Sequence, residues 1–202
     1  MLICLLVLQP LAALTTILSH VTDLLEKHPH VFVISFDYSK AFDTLSHSSV
    51  ATKLAFLDIP STIYNWILQF LSNSSHRTRF QGETSQLANI TASVVQGSVL
   101  GPTLFNLNSC DLVPLSDLNR YFKYADDAYL IVPYTNASTI PPEIDHYSSW
   151  AANCNLKLNP SKTSEIVFSR KRLLPPPPNP GVTRTENLKI LGLTVDNKMT
   201  FL

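Results

Sequence analysis

Charge is scarce in this 202-residue chain. Asp, Glu, Lys and Arg make up 15% of it, and fifteen basic side chains balance fifteen acidic ones, where about a quarter charged is usual. No overall basic field is present, so bulk electrostatic attraction to nucleic acid is excluded as its organising feature. Cysteine is sparse too: Cys4, Cys110 and Cys154 lie far apart with no CxxC pair. That excludes a disulfide framework and a structural zinc site, and fits a reducing compartment. The six histidines show no ligand spacing except His28-Pro29-His30, which reads as a surface turn. Internal repeats are absent, and strands and helices alternate without a regular βαβ rhythm, which leaves α+β as the fold class.

Apolar residues are plentiful instead. At 45% hydrophobic content the chain can bury the core of one large domain. The first eighteen residues, MLICLLVLQPLAALTTIL, include fourteen apolar ones but lack a positive leading segment, and Gln9-Pro10 interrupts them. From Leu11 the apolar positions Leu11, Leu14, Ile17, Val21 and Leu24 follow helical spacing, so an amphipathic helix lying on a core and ending before Pro29 is expected rather than a targeting or anchoring segment. Residues 1–10 stay unexplained. The unbroken run VFVISF (31–36) predicts a strand buried on both faces and ending at Asp37. Helices are predicted over about 46–56 and over 61–71, the latter with Ser61 as N-cap. RTRFQG and ANITASVV predict two strands around a turn at 82–85. QGSVLGPTLF opens a helix to about Asp111, with Pro102 in its first turn. Residues 120–133 read as a hairpin with Ala125-Asp126-Asp127 at its tip. A helix starting at the prolines of PPEIDHYSSWAANCNL, strands LKLN and SEIVFS, a stiff polyproline linker over 173–187 and a last strand or strand pair LKILGLTVD complete the pattern.

Charge is unevenly spread along this plan. Residues 160–202 hold seven Lys or Arg against three Asp or Glu, and residues 1–159 hold eight against twelve. An acidic body with a basic C-terminal piece and a chance distribution both account for this. The acidic residues of interest are three. Asp37 ends the buried strand, and Asp126 and Asp127 cap a hairpin between buried strands. Unpaired charge in such places costs several kcal/mol of desolvation per ion. A divalent cation would offset that cost, since magnesium favours one or two carboxylates plus substrate phosphates. The plainer account is an Asp-Asp turn and a strand-end cap.

Five stretches, in order, resemble successive motifs of reverse transcriptases, with the flavour of non-LTR (LINE-type) retrotransposons: FDYSKAFD (36–43), QGSVLGPTLF (96–105), KYADD (123–127), LNPSKT (158–163) and LKILGLTVD (188–196). The resemblance implies a palm fold, an antiparallel sheet backed by helices, over residues 11–172. The Pro-rich linker 173–187 would follow, with 188–202 as the start of the primer-grip and thumb region, near Gly192. It implies RNA-directed DNA polymerisation, adding deoxynucleotides to a primer 3′-hydroxyl by a two-metal route. Asp37, Asp126 and Asp127 would hold two Mg2+ ions, with Mn2+ as a substitute. The Tyr38 carbonyl would add an oxygen, and Lys162 would protonate departing pyrophosphate. Phe42 would lie under the sugar and exclude a 2′-hydroxyl, Gln96 and Gly97 would approach template and nucleotide, and Tyr124 would sit near the primer. Phe42 and Tyr124 read equally as core aromatics, Lys162 as a solvated turn lysine, and Asp43 as a local hydrogen-bonding residue. Arg170, Lys171 and Arg172 are candidate phosphate contacts or a solvated strand end.

The chain departs from the family at Ser93-Val94-Val95, where relatives carry Gly-x-Pro before Gln-Gly. Fingers and thumb are expected to be largely missing, and an endonuclease domain absent. A catalytically inactive palm relic that at most binds nucleic acid is therefore the alternative to an active polymerase core. Expected partners are an RNA template, a DNA primer, a dNTP and other retroelement domains, with no membrane. The expected location is intracellular, nucleus or cytoplasm unresolved.

Overall fold

A computed structural model of the chain describes residues 10–72, 74–94, 98, 100–170 and 173–201. The N-terminal residues 1–9, Gln96, Gly97, Lys171 and Arg172 lie outside the described residues.

Helix α1 (Pro10–Lys27) begins with proline, whose missing N–H is no loss at a first helical position, and ends with Lys27 in its last turn. Its apolar stripe of Ala13, Leu14, Ile17 and Val21 is buried, as the helical spacing predicts. Among the described residues no helix is long and apolar enough to cross a membrane.

Strand β1 (His30–Phe36) runs through the middle of a five-stranded sheet. Short helices α2 (Ala41–Thr44) and α3 (His47–Ala55) and helix α4 (Ser61–Leu71) follow. Ser46 caps α3, its hydroxyl accepting from the Ser49 N–H at 3.3 Å. The α4 cap position is Pro60, with no side-chain bond, so Ser61 is the first helical residue rather than the expected N-cap. Proline fits there because it removes an N–H the helix end could not satisfy.

An exposed ladder of two-residue strands comes next. β2 (Ser75–His76) pairs with β5 (Ala88–Asn89), and β3 (Arg79–Phe80) with β4 (Glu83–Thr84). Its turn is Gln81-Gly82, both at positive φ of 49° and 89°, one step earlier than the sequence suggests. Two positive φ values are what a tight two-residue hairpin requires, and Gly82 meets that without strain.

Helix α5 (Leu100–Asn108) leads to the hairpin of β6 (Arg120–Tyr124) and β7 (Asp127–Pro133). A 3-10 segment (Tyr134–Thr139) feeds helix α6 (Ile140–Asn153), with Pro at its start. β8 (Ser164–Ser169), β9 (Thr183–Arg184) and a hairpin of β10 (Asn187–Ile190) and β11 (Leu193–Asp196) close the chain. The expected strand LKLN contributes one bridge, Leu158 to Tyr38.

The sheet order is β6-β7-β1-β8-β9, antiparallel except for the β8–β9 edge. Alternation along β1 divides the core. Val31 and Val33 face α1 and the β10–β11 hairpin, with Leu188, Ile190 and Val195. Phe32, Ile34 and Phe36 face α6, with Ile140 and Tyr147. Phe36 stacks on Tyr147 with ring centroids 3.8 Å apart. A third cluster joins α2 to α5 through Leu45, Leu54, Leu71 and Phe105. This is the expected α+β palm: an antiparallel-dominated sheet backed by helices.

The segment 173–187, expected as a linker, is tied to the sheet. Arg184 grips the buried carboxylate of Glu165 through Nε at 2.8 Å and Nη2 at 2.6 Å, and also donates to the Pro176 and Pro177 carbonyls. Asn179 Nδ2 bonds the other Glu165 oxygen. The C-terminal hairpin therefore shares one core with α1 and the sheet.

Candidate active site

The two central strands bring carboxylates together. The β1–β7 register pairs Phe36 with Ala128. One step further along the antiparallel pair, Asp37 comes opposite Asp127. The β6–β7 register pairs Tyr124 with Asp127 and leaves Ala125-Asp126 as a two-residue turn. Ala125 adopts φ 51°, a left-handed conformation that costs an alanine about 1 kcal/mol or more.

Asp37 is held by its own backbone. Its carbonyl accepts from the Asn159 N–H at 2.8 Å, and the Ser39 N–H donates to the Lys157 carbonyl at 2.8 Å. These bonds fasten the end of β1 to the turn that carries Lys162. Lys162 Nζ stands 3.7 Å from Asp37 Oδ2, too far for a hydrogen bond, and Oδ2 is sealed from solvent with no hydrogen-bond partner. A buried anionic oxygen without a donor is expensive.

Asp37, Asp127 and Lys162 line one cavity of about 600 Å³ between the sheet and the β10–β11 hairpin, together with Tyr129, Lys189 and Gly192. Gly192 forms the hairpin turn with Leu191, at φ 92° and 47°. The Tyr129 hydroxyl accepts from the Leu191 N–H at 3.1 Å and fixes that turn to the sheet. Desolvation of the Asp127 carboxyl, then the negative charges of Asp126 and Asp37, push its pKa up to about 6, with Lys189 opposing. Lys189 is a cavity residue the sequence reading did not single out. Its place in LKILGLTVD, one position before Ile190, carries no signal beyond strand alternation.

Among the described residues, no group of three or more His, Cys, Asp or Glu side chains is gathered so as to hold a metal ion. The expected convergence of all three aspartates is thus not a preformed cage. Asp126 sits in the turn and Asp127 begins the strand, and the charges of Asp126 and Asp37 both act on Asp127. Asp126 is exposed, and its charge acts on the phenol of Tyr38 as well as on Asp127. What the site offers is a carboxylate pair with one orphaned buried oxygen and a neighbouring third carboxylate. That donor set fits a hard divalent cation completed by substrate phosphates.

The other expected residues occupy distinct surroundings. The Tyr38 hydroxyl bonds the Tyr147 hydroxyl at 2.5 Å. Burial foremost raises the Tyr38 pKa above the usual phenol range, so this side chain stays neutral. Tyr124 packs half-buried against the cluster over α1. Phe42 is half-buried against Phe105, ring centroids 5.4 Å apart, and does not line the carboxylate cavity. The Asp43 N–H closes a turn on the Lys40 carbonyl at 3.0 Å. Gln96 and Gly97 belong to the part of the chain outside the described residues.

Comparison with known proteins adds to this geometry. The family model described as reverse transcriptase (RNA-dependent DNA polymerase) matches residues 7–195. The chain is 31% identical over 179 residues to the probable RNA-directed DNA polymerase from transposon X-element of Drosophila melanogaster, covering 82% of this chain and 19% of that protein. It is 28% identical over 183 residues to the RNA-directed DNA polymerase from mobile element jockey of the same species, again covering 82% and 19%. It therefore spans about one fifth of the length of these relatives. Among solved structures, apo telomerase from Candida tropicalis superposes with a TM-score of 0.68 at 14% identity, over 96% of this chain and 36% of that one. The same telomerase in complex with a fragment of telomeric RNA gives 0.67 at 15% identity, over 95% and 32%. These likenesses show a shared fold. With the sheet, the opposed aspartates and a family match along nearly its whole length, the chain belongs to the reverse transcriptase (RNA-dependent DNA polymerase) family, in its non-LTR, LINE-type branch.

Proposed function

We propose that this chain carries the catalytic palm of an RNA-directed DNA polymerase, extending a DNA primer on an RNA template inside the cell. The observation that carries the reading is the Oδ2 of Asp37, sealed from solvent and without a hydrogen bond, opposite Asp127 in a cavity of about 600 Å³. Asp37, Asp126 and Asp127 would hold Mg2+, with Mn2+ as a substitute, and the Tyr38 carbonyl would contribute a further oxygen. Such ions, when bound, would lower the pKa of the primer 3′-hydroxyl and neutralise charge on the triphosphate.

The residues do the positioning on which phosphoryl transfer depends. Asp37 is rigid because its backbone is tied to the turn at Asn159. Asp126, exposed in the turn, is open to an incoming nucleotide. Lys162, 67% exposed and 3.7 Å from Asp37, can swing to a leaving pyrophosphate oxygen and deliver a proton there. Phe42 would pack beneath the sugar and reject a 2′-hydroxyl, while Tyr124, paired with Asp127 across the hairpin, would sit near the primer. Gln96 and Gly97 would approach template and nucleotide.

Primer extension on poly(rA)/oligo(dT) with Mg2+ tests the reading. Incorporation of dTTP that falls at least about a hundredfold in Asp37→Asn and Asp126→Asn supports it. Incorporation that survives both substitutions, or none by the unaltered chain at any protein concentration, overturns it, the latter in favour of an inactive palm.

A further inference from the structure

Ser93 has a φ of 98°, far outside the regions open to a residue with a Cβ. Such strain persists only where the surroundings impose it. Here they can be named. The Ser93 N–H donates to the Leu45 carbonyl at 2.9 Å, and the next amide, Val94, donates to the Phe42 carbonyl at 2.9 Å. Ser46 bridges Ala92, and the His47 N–H reaches the Thr91 carbonyl at 3.4 Å. Residues 42–47 and 91–94 are thus zipped together. The Ser93 hydroxyl reaches the Val94 carbonyl at 3.5 Å, and the Ser93 carbonyl accepts from Nε2–H of the His47 imidazole at 2.6 Å.

We propose that His47 is a positioning residue: its imidazole locks the strained Ser93 peptide, and through the adjoining Val94–Phe42 bond it fixes Phe42 and so sharpens discrimination between deoxy- and ribonucleotides. The discrimination clause rests on the polymerase reading; the lock itself does not. Three features make His47 suited to this. It is the first residue of α3, immediately after the Ser46 cap, so its backbone is already immobile. Its ring is short and flat, and half-buried beside Phe70, Leu71 and Val94 in a small cavity. Its Nε2–H points at a carbonyl, which can only accept, so the direction of the bond is fixed. Phe42 is gripped from two sides as a result: by Phe105 through its ring and by Val94 through its carbonyl.

The test uses the full chain in four forms: unaltered, His47→Ala, His47→Gln, and His47→Ala with Ser93→Gly. Hydrogen exchange at the Val94 amide reports the bond to Phe42 directly, without any polymerase activity. His47→Ala is expected to speed that exchange about fivefold, the worth of one hydrogen bond. His47→Gln, which keeps an N–H donor, and Ser93→Gly, which removes the strain the lock opposes, are each expected to return it towards the original rate. In the same forms, the ratio of dTTP to UTP incorporation is expected to fall about fivefold in His47→Ala and recover in the other two, with the affinity for poly(rA)/oligo(dT) unchanged. Unchanged Val94 exchange in His47→Ala overturns the lock. So does an acceleration that Ser93→Gly fails to repair, or one spread evenly over every amide of the fold. If Val94 exchange follows the expected order and the dTTP to UTP ratio does not, Phe42 is not the group the lock serves. If the unaltered chain incorporates nothing, the polymerase reading and the discrimination clause fall together, and exchange alone judges the lock.

Discussion

Two acidic centres sit on the same sheet, and the protein treats them in opposite ways. Glu165, the second residue of β8, is completely buried, yet both its oxygens are engaged, one by a two-pronged Arg184 and the other by Asn179. Asp37, at the end of β1, keeps an oxygen sealed from solvent with no donor, faces Asp127 across the strand pair, and has Lys162 at 3.7 Å. The first centre is electrostatically closed and holds the C-terminal segment to the sheet. The second is electrostatically open, with negative charge in excess and room for a cation and a phosphorylated ligand. The difference teaches that burial alone does not mark a functional carboxylate. Incomplete compensation does, because a structure stabilised only by its own contacts has no reason to leave such an oxygen without a hydrogen bond.

The comparison can be broken most forcefully at the closed centre. Arg184→Met should cost about 3–5 kcal/mol, because it strands a buried carboxylate. Urea unfolding measures it, and the double variant Arg184→Met with Glu165→Leu should recover most of the loss. A loss under about 1 kcal/mol in the single variant would mean the pair is no more important than a surface bridge.

At the open centre the expected effects are smaller and of different sign. Asp37→Asn should leave thermal stability without Mg2+ unchanged or slightly raised. In the unaltered chain, Mg2+ at ten times its dissociation constant should add about 1.4 kcal/mol, and that gain should vanish in Asp37→Asn. Calorimetry with and without the ion checks both statements.

A pH titration sharpens the contrast further. The Asp127 pKa is raised from 3.8 to about 6 in the folded state. Below the unfolded value both states carry the proton. Between about pH 4 and 6 the folded state holds on to a proton the unfolded state has lost, so stability attributable to this group declines as pH rises through that window. Asp127→Asn should flatten the decline, and following Tm from pH 4 to 7 in both forms measures it. Because Asp127 is exposed, solvent screening keeps the amplitude modest. The smallest effect is expected from Lys189→Met. Removing the cation that opposes the upward shift should move the midpoint of the same titration to higher pH without changing the fold.

Local elements were largely readable beforehand. The apolar spacing from Leu11 gave α1, the run VFVISF gave the doubly buried β1, and the break at Ala125-Asp126 gave the β6–β7 hairpin, because each is encoded in residues a few positions apart. The exposed ladder at 75–89 was less legible. Its strands are two residues each and bury nothing, so periodicity had little to register. Glu165 gave no sign of burial, since a polar residue in a strand ordinarily faces water and its partner lies nineteen residues away across a proline-rich stretch. The departure from Gly at Ser93 was visible, but its consequence, a serine at φ 98°, was not.

The sequence by itself determined which segments are helix and strand, which faces are apolar, where the three aspartates fall along the chain and to which family it belongs. Only the tertiary structure decided that Asp37 stands opposite Asp127 with Asp126 in the turn beside it, that Arg184 silences Glu165, and that His47 holds Ser93. The physical reason is reach. Periodicity is written in neighbours three or four positions apart, whereas a carboxylate is quieted or left active by groups brought beside it through space, such as Tyr147 on Tyr38 across 109 positions.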